Sequence, residues 1–118
     1  MNKISVIIPT LNEEERIQQV LRHLVTQQYG DIIEEIIIVD GGSEDNTTEL
    51  VANFPEVVLI HADKGRATQL NKGARMAQGD ILYFLHADSF PPPGFDHLII
   101  NEIKKGHEAG CFRLKFDS

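Results

Sequence analysis

The feature that most constrains the fold is the alternation of short, continuous apolar runs with longer segments of helical periodicity. Uninterrupted apolar runs are typical of strands buried on both faces of a parallel sheet. Four such runs lie at 4–9, 34–40, 56–61 and 80–88. The segment after the first run places apolar residues on one helical face, namely Ile17, Val20, Leu21 and Leu24. This order predicts an α/β fold: a Rossmann-like, mainly parallel sheet with right-handed crossovers and helices on both faces.

The ends of the predicted helices carry capping residues. Asn12 is expected to cap the first helix, with the glutamates at 13–15 in its first turn, where the helix dipole favours anions. Asp45 or Asn46 is expected to cap the second helix, and Gly79 to close the third. A further helix and a last short strand, in the sequence AGCFRLKF, complete the pattern.

Composition narrows the class of protein. The 118 residues fall within the ~50–250 of a single domain. With 11 basic and 18 acidic side chains the formal charge is −7, which argues against a nucleic-acid-binding surface. No apolar run approaches the ~20 residues that span a bilayer, and the amino terminus turns polar too early for a signal peptide, so we expect a cytoplasmic domain. The single cysteine, Cys111, excludes an intrachain disulfide and a cysteine-rich zinc site.

Polar residues cluster where the predicted strands end. The sequences PTLNEE, DGGSEDN, ADKGR and HADS follow the first to fourth strands in that order. Because ligands bind outside the carboxyl ends of parallel strands, we expect these four segments to face one crevice. Neither GxGxxG nor GxxxxGK[ST] is present, and the first turn holds no glycine. These features count against a dinucleotide-binding protein, a P-loop protein and a nucleotidyltransferase.

The end of the second strand offers a carboxylate to a ligand. Asp40 can accept hydrogen bonds from a nucleobase or a sugar. Gly41 and Gly42 follow it and permit a close approach that a Cβ would block. An ordinary strand-to-helix turn, with Asp45 as the cap, is the alternative interpretation.

Two further groups suit phosphate or metal chemistry. Lys64, Arg66 and Lys72 lie near the start of the third helix, where cations and free N–H groups suit a diphosphate, and for Lys72 a solvated helix face is the favoured interpretation. His86 and Asp88 end the fourth strand two residues apart, hence on one side of the extended chain. Asp88 offers a hard oxygen ligand to Mg²⁺ or Mn²⁺, and His86 can ligate Mn²⁺ or donate to a phosphate. Solvated side chains are the alternative for both groups.

Together these motifs define a family resemblance. The segments ISVIIPTLNEEERI, IIIVDGGSEDNT and KGRATQLNKGARMAQGDILYFLHAD resemble the amino-terminal, nucleotide-sugar-binding half of glycosyltransferase family 2, over roughly residues 3–115. The combination of GRATQLNKGA with FLHAD is similar to a small bacterial branch of that family. The resemblance implies a GT-A fold that binds a nucleoside diphosphate sugar with a divalent cation, Mn²⁺ or Mg²⁺. It also implies transfer with inversion at the anomeric carbon.

The resemblance assigns roles residue by residue. The family's first-strand motif falls on four residues that it implies contact the nucleoside: Pro9, Thr10, Asn12 and Glu13. Its second-strand acid falls on Asp40, which would bind the base beside Gly41, and Arg66 falls where the family has a basic residue near the nucleotide. The metal motif falls on His86 and Asp88.

This chain departs from the family pattern at two positions. His86 stands where the metal motif has its first aspartate, which leaves Asp88 as its only carboxylate. Gly41 stands where the family often has a second acid. Both departures concern side chains that would otherwise add negative charge to the site.

The resemblance also implies that the acceptor-binding half and the catalytic base lie beyond Ser118. We therefore expect residues 1–118 to form a single nucleotide-sugar-binding domain, with no assignable catalytic base and an unknown acceptor. Apolar surface left exposed around GCFRLKF predicts a homodimer. The alternative function is a non-catalytic nucleotide-sugar-binding or interaction module derived from such an enzyme.

Overall fold

The computed structural model describes residues 3–26 and 32–87, in which strands and helices alternate. The elements are β1 (Ile4–Thr10), α1 (Ile17–Thr26), β2 (Ile33–Asp40), α2 (Thr47–Val51), β3 (Val57–His61), α3 (Arg66–Met76) and β4 (Ile81–Phe84). Each of the four predicted apolar runs overlaps one of these strands, and β1 and β2 each extend one residue beyond the predicted run. The predicted last helix and last strand lie outside the described residues, as do Asp88 and Cys111.

The four strands form one sheet in the order β3-β2-β1-β4, and every neighbouring pair runs parallel. The predicted Rossmann-like parallel sheet is therefore confirmed. The chain adds β2 and β3 on one side of β1 and β4 on the other, so the direction of winding reverses between β1 and β4. In sheets of this kind a ligand crevice opens at that reversal, outside the carboxyl ends of the strands.

One face of the sheet packs against α1 and α2. The predicted apolar stripe of α1 is confirmed, since its four residues are fully buried: Ile17, Val20, Leu21 and Leu24. They share the larger apolar core with the alternate β1 residues Ile4, Val6 and Ile8. Burying one such side chain stabilises the fold by roughly 1.5–3 kcal/mol, so this layer anchors β1, whose far end reaches the crevice.

The helix α3 covers the opposite face of the sheet. The buried strand residues beneath it are Ile7, Ile37 and Val39. Leu70 packs against them, whereas Ala67, near the start of the helix, is exposed. Gly73 lets the helix approach closely, because a Cβ there would lie 2.5 Å from Cγ2 of Ile7 and 3.0 Å from Cγ2 of Val39. Because helices cover both faces of the sheet, the inner strands β1 and β2 can be apolar on both sides, which explains their continuous apolar runs in the sequence.

The predicted start of α1 is wrong. The helix begins at Ile17, and the glutamates at 13–15 precede it. Its first turn is closed by the N–H of Ile17, which donates to the carbonyl oxygen of Glu13 at 2.8 Å. Asn12 has a φ of 56° and points its carboxamide oxygen at the β2–α2 loop instead, where it accepts a hydrogen bond from the N–H of Glu44.

The predicted role of Gly79 as a cap is also wrong. The residue after α3 is Ala77, whose extended backbone ends the helix. Gly79 lies against β1, where a Cβ would come within 2.7 Å of Oγ of Ser5 and 2.8 Å of the carbonyl oxygen of Lys3. The glycine is therefore needed for close contact with the strand rather than for ending the helix.

Candidate functional site

A crevice of about 380 Å³ opens at the reversal between β1 and β4. Its walls come from the end of β1, the start of α3 and the residues that follow β4. Six residues singled out from the sequence line it: Pro9, Thr10, Glu13, Lys64, Arg66 and His86. Gly65 and Gln69 line it as well. The fold thus brings together segments that are as much as 77 residues apart, from Pro9 to His86, at one edge of the sheet.

Arg66 and His86 meet in this crevice. Nη1 of Arg66 lies 2.8 Å from Nδ1 of His86, and Nη2 lies 2.9 Å from Nε2. A guanidinium only donates hydrogen bonds, and a neutral imidazole has a single acceptor nitrogen, so one of the two contacts is a hydrogen bond. The first residue of α3 is thereby joined to the segment that follows β4.

The two lysines near α3 have different surroundings. Lys64 is exposed and lines the crevice beside Arg66. Lys72 lies two turns further along the helix, where its ammonium donates to the carbonyl oxygen of His61 at the end of β3. Only Lys64 of the two is therefore placed to meet a ligand in the crevice.

Asp40 is 1% exposed and lies one strand away from the crevice wall. Its Oδ1 accepts hydrogen bonds from the hydroxyls of Thr10 (2.8 Å) and Ser43 (2.6 Å). Its Oδ2 accepts from the N–H groups of Gly42 (3.0 Å) and Ser43 (2.8 Å). Burial raises the pKa of Asp40, but the hydrogen bonds from Ser43, Thr10 and Gly42 outweigh it and hold the pKa below its ordinary value. The carboxylate therefore orients Thr10 and the following turn.

The loops after β1 and β2 are tied together by further hydrogen bonds. The N–H of Asn12 donates to Oγ of Ser43, and the N–H of Glu13 donates to Oγ1 of Thr47, both at 2.8 Å. Asp45 accepts a hydrogen bond from the N–H of Thr47, the first residue of α2, at 2.9 Å. Its side chain therefore pairs the first N–H group of this helix, as predicted. Asn46 makes no side-chain capping bond. The contact of Asn12 with a nucleoside stays a prediction.

Residues 5–118 match the model of the glycosyl transferase family 2. The chain belongs to glycosyltransferase family 2. An undecaprenyl-phosphate 4-deoxy-4-formamido-L-arabinose transferase of Yersinia pestis is 31% identical over 92% of this chain and 36% of its own length. Glycosyltransferase AglE of Haloferax volcanii is 35% identical over 75% of this chain and 31% of its own length. The chain thus spans about a third of the length of these relatives.

The structure is similar to that of a solved glycosyltransferase. The glucosyl-3-phosphoglycerate synthase of Mycobacterium tuberculosis, crystallised with Mn²⁺, UDP and glucosyl-3-phosphoglycerate, superposes with a TM-score of 0.76 and 25% identity. The match covers 90% of this chain and 41% of that one. The GT-A fold expected from the family resemblance is therefore confirmed.

The family's metal motif falls only partly within the described residues. His86 is described, and both of its ring nitrogens lie within 2.9 Å of Arg66. Asp88 lies outside the described residues. Within the described residues, 3–26 and 32–87, no group of three or more His, Cys, Asp or Glu side chains is placed to hold a metal ion. The described residues alone therefore do not fit a metal site, and the metal-binding roles of His86 and Asp88 stay predictions.

One residue of this crevice was not predicted from the sequence. Gln69, on α3, is 4% exposed and lines the crevice. Its position was visible in the sequence, because Gln69 and Gly73 are four residues apart and so share one face of the helix. A polar side chain on the face of closest helix–sheet contact requires hydrogen-bond partners inside the protein.

None of the helices in the described part of the chain combines the length and the apolar character that crossing a bilayer requires. The longest of the three, α3, has 11 residues.

Proposed function

We propose that this chain binds a nucleoside diphosphate sugar in the crevice and serves as the donor-binding part of a glycosyltransferase. The observation that carries the proposal is the arrangement of the crevice walls. Lys64 and Arg66 lie at the start of α3, opposite Pro9 and Thr10 at the end of β1. The UDP bound to the structurally similar synthase of Mycobacterium tuberculosis supports the same class of ligand here.

The diphosphate is proposed to lie at the α3 side of the crevice. Lys64 and Arg66 offer two positive charges on a chain whose formal charge is −7. The first N–H groups of the 11-residue helix α3 add the partial positive charge of a helix N-terminus. These groups together attract a diphosphate against the net charge of the chain.

The nucleoside is proposed to lie at the β1 side. Pro9, Thr10 and Glu13 line that wall, and Asp40 orients the Thr10 hydroxyl through a 2.8 Å hydrogen bond. The direct contact of Asp40 and Asn12 with the base, which the family resemblance implies, belongs to this proposal. UDP and GDP are the natural probes, since uridine and guanosine are the bases that the resemblance favours.

A divalent cation, Mn²⁺ or Mg²⁺, is proposed to accompany the diphosphate, with Asp88 as its carboxylate ligand. When bound, such an ion neutralises charge on a diphosphate leaving group. The Mn²⁺ in the similar Mycobacterium tuberculosis structure supports this choice. His86 remains the ion's predicted second ligand, a role that would require one ring nitrogen to leave the guanidinium of Arg66.

The proposed reaction is attack of an acceptor hydroxyl on the anomeric carbon. The bond from that carbon to the diphosphate oxygen breaks, a new bond to the acceptor oxygen forms, and the configuration inverts. We place the base that removes the hydroxyl proton, and the acceptor site, outside residues 1–118. A cytoplasmic location and self-association through GCFRLKF accompany this proposal as predictions, and light scattering at high protein concentration tests the second.

A non-catalytic nucleotide-sugar-binding module is the second candidate. The observation that favours it is His86, which replaces a metal-motif aspartate and is joined to Arg66. Both candidates predict nucleotide binding, but only the enzyme requires the cation. Fusing residues 1–118 to the acceptor half of a full-length relative, and assaying donor-sugar hydrolysis or transfer, separates them.

Calorimetric titration tests the donor site itself. We expect UDP or GDP to bind with Mn²⁺ or Mg²⁺ present and to bind much more weakly in chelator. Asp88→Asn should remove that dependence on metal. If no nucleoside diphosphate binds with metal present, the crevice is not a donor site. Binding that is unchanged by chelator or by Asp88→Asn would keep the nucleotide site and dismiss the cation.

A further inference from the structure

Gln69 uses its side-chain amide to join three elements. Its Nε2 donates to the carbonyl oxygen of Thr10 at 2.9 Å and to that of Val39 at 2.8 Å. Its Oε1 accepts from the N–H of Gly65 at 3.2 Å. One buried carboxamide therefore connects the carboxyl ends of β1 and β2 to the residue that precedes α3.

The link to Gly65 is reciprocal. The backbone N–H of Gln69 donates to the carbonyl oxygen of Gly65 at 2.8 Å, while its side chain accepts from the Gly65 N–H. Gln69 is the fourth residue of the helix, and its side chain reaches back to the N–H of the N-cap residue Gly65, which has no side chain of its own to cap the helix. The direction in which α3 starts is therefore fixed by Gln69, and Arg66 is its first residue.

The carboxamide also explains the departure at position 41. A Cβ on Gly41 would lie 2.8 Å from both Cδ and Oε1 of Gln69, and 3.0 Å from Nε2. Any side chain at position 41 would therefore displace the amide from its partners. Gly41 and Gln69 form a matched pair, in which the glutamine occupies the space where a second acid would begin.

We propose that Gln69 is the positioning residue of the donor site, which holds Arg66 toward His86 and the diphosphate, and that Gly41 is required for this role. This proposal rests on the proposed function, because the binding measurements that test it require the donor site described above. It differs from a purely structural role because it couples Gln69 to Arg66. Stability alone would change the fraction of folded protein, not the affinity of the folded chain.

A double-mutant cycle on the full chain measures this coupling. The variants are Gln69→Ala, Arg66→Ala and the double variant, each titrated calorimetrically with UDP and Mn²⁺ under conditions where circular dichroism shows it folded. We expect each single variant to lose about 10-fold in affinity and the double variant to lose little more than Arg66→Ala alone. Fully additive losses, or wild-type affinity in Gln69→Ala, would overturn the proposal.

Gly41→Ala offers a second route to the same displacement and leaves the glutamine in the sequence. We expect it to lower UDP affinity about as much as Gln69→Ala does, and to have no further effect in the Gln69→Ala background. Gln69→Met, which keeps the length of the side chain but has no amide, replaces Gln69→Ala if that variant does not fold. Wild-type affinity in a folded Gly41→Ala chain would contradict the role assigned to Gly41.

A measurement without ligand keeps this inference separate from the proposed function. Nitrogen-15 NMR of the His86 ring reports the hydrogen bond from Arg66. We expect Gln69→Ala and Gly41→Ala to shift the His86 ring signals to the values seen in Arg66→Ala. If the wild type binds no nucleoside diphosphate but these shifts occur, the positioning role stands and the donor site does not. Unchanged His86 signals in both variants would overturn the positioning role.

Discussion

The two walls of the crevice satisfy their polar groups in different ways. Behind the wall formed by β1, the buried Asp40 carboxylate on β2 accepts four hydrogen bonds, among them one from Thr10 and two from Ser43. On the α3–β4 wall, Lys64 and Arg66 are exposed, and the polar contact described there joins Arg66 to His86. The first wall is saturated by the protein itself, and the second presents charge to solvent.

This difference separates stability from ligand binding. A network whose donors and acceptors are already paired is costly to disturb but needs no rearrangement when a ligand arrives. Exposed cations contribute little to folding and remain available to an anion. Substitutions in the first wall should therefore act mainly on the free energy of unfolding, and substitutions in the second mainly on affinity.

The largest effect is expected from Asp40→Ala. The substitution leaves the hydroxyls of Thr10 and Ser43, and the N–H groups of Gly42 and Ser43, without their acceptor. We expect the free energy of unfolding to fall by ~3 kcal/mol, measured by urea denaturation followed by circular dichroism.

Asp40→Asn is the matched control for this loss. Its oxygen can still accept from the two N–H groups, while its amide donates to hydroxyls that are able to rotate and accept. We expect the asparagine to cost ~1 kcal/mol. Equal losses in both variants would show that the charge, rather than the hydrogen-bond pattern, holds this wall.

Arg66→Ala should act on the other wall. If the guanidinium contacts the diphosphate, its removal costs a charge-assisted interaction, and we expect UDP affinity to fall about 10-fold with the free energy of unfolding nearly unchanged. Arg75→Ala is the control, because Arg75 is exposed in the last turn of the same helix and does not line the crevice. Equal losses of affinity in both variants would indicate long-range charge instead of contact.

The sequence was sufficient to predict the fold because its apolar patterns are local. The four strands and the α1 stripe of Ile17, Val20, Leu21 and Leu24 follow from periodicity within short windows. The position of the crevice follows from topology, since strand ends that are distant in sequence meet at one edge of a parallel sheet. The family itself was identified from motifs at those ends.

What the sequence did not disclose are contacts between such ends. Asn12 and Glu44 are 32 residues apart, and their hydrogen bond replaces the cap predicted from local preference. Gln69 reaches Thr10 across 59 residues of sequence, so its role depends on the separation of α3 from the sheet. That separation is set by Gly73, and helical spacing alone places Gln69 and Gly73 on one face without showing that this face contacts the sheet.

A smaller effect is expected from Gly42→Ala. No atom lies within 4 Å of a Cβ built there, but the φ of 102° is one that alanine rarely adopts. We expect a loss of ~1 kcal/mol in the free energy of unfolding from this strain, which also weakens the Gly42 N–H bond to Asp40. Gly42→Asn should lose less, because asparagine tolerates positive φ better. An unaffected Gly42→Ala would show that the turn can relax without disturbing the saturated wall.

The last prediction concerns the pH dependence of the saturated wall. The pKa of Asp40 lies below its ordinary value in the folded chain, because the hydrogen bonds to its carboxylate outweigh the cost of burial. Between the unfolded and the folded pKa, the unfolded chain binds a proton that the folded chain does not, so the stabilisation is present above the unfolded pKa and is lost as pH falls through the folded one.

Other carboxylates, including Asp45, whose pKa is also lowered, contribute to acid unfolding. The difference between wild type and Asp40→Asn isolates the contribution of Asp40. Urea denaturation across this acid range should show the wild-type advantage shrinking as the pH falls. An advantage that stays constant down to the acid-unfolded state would mean that the turn is held by backbone geometry, and that the ionised carboxylate does not distinguish this wall from the one opposite.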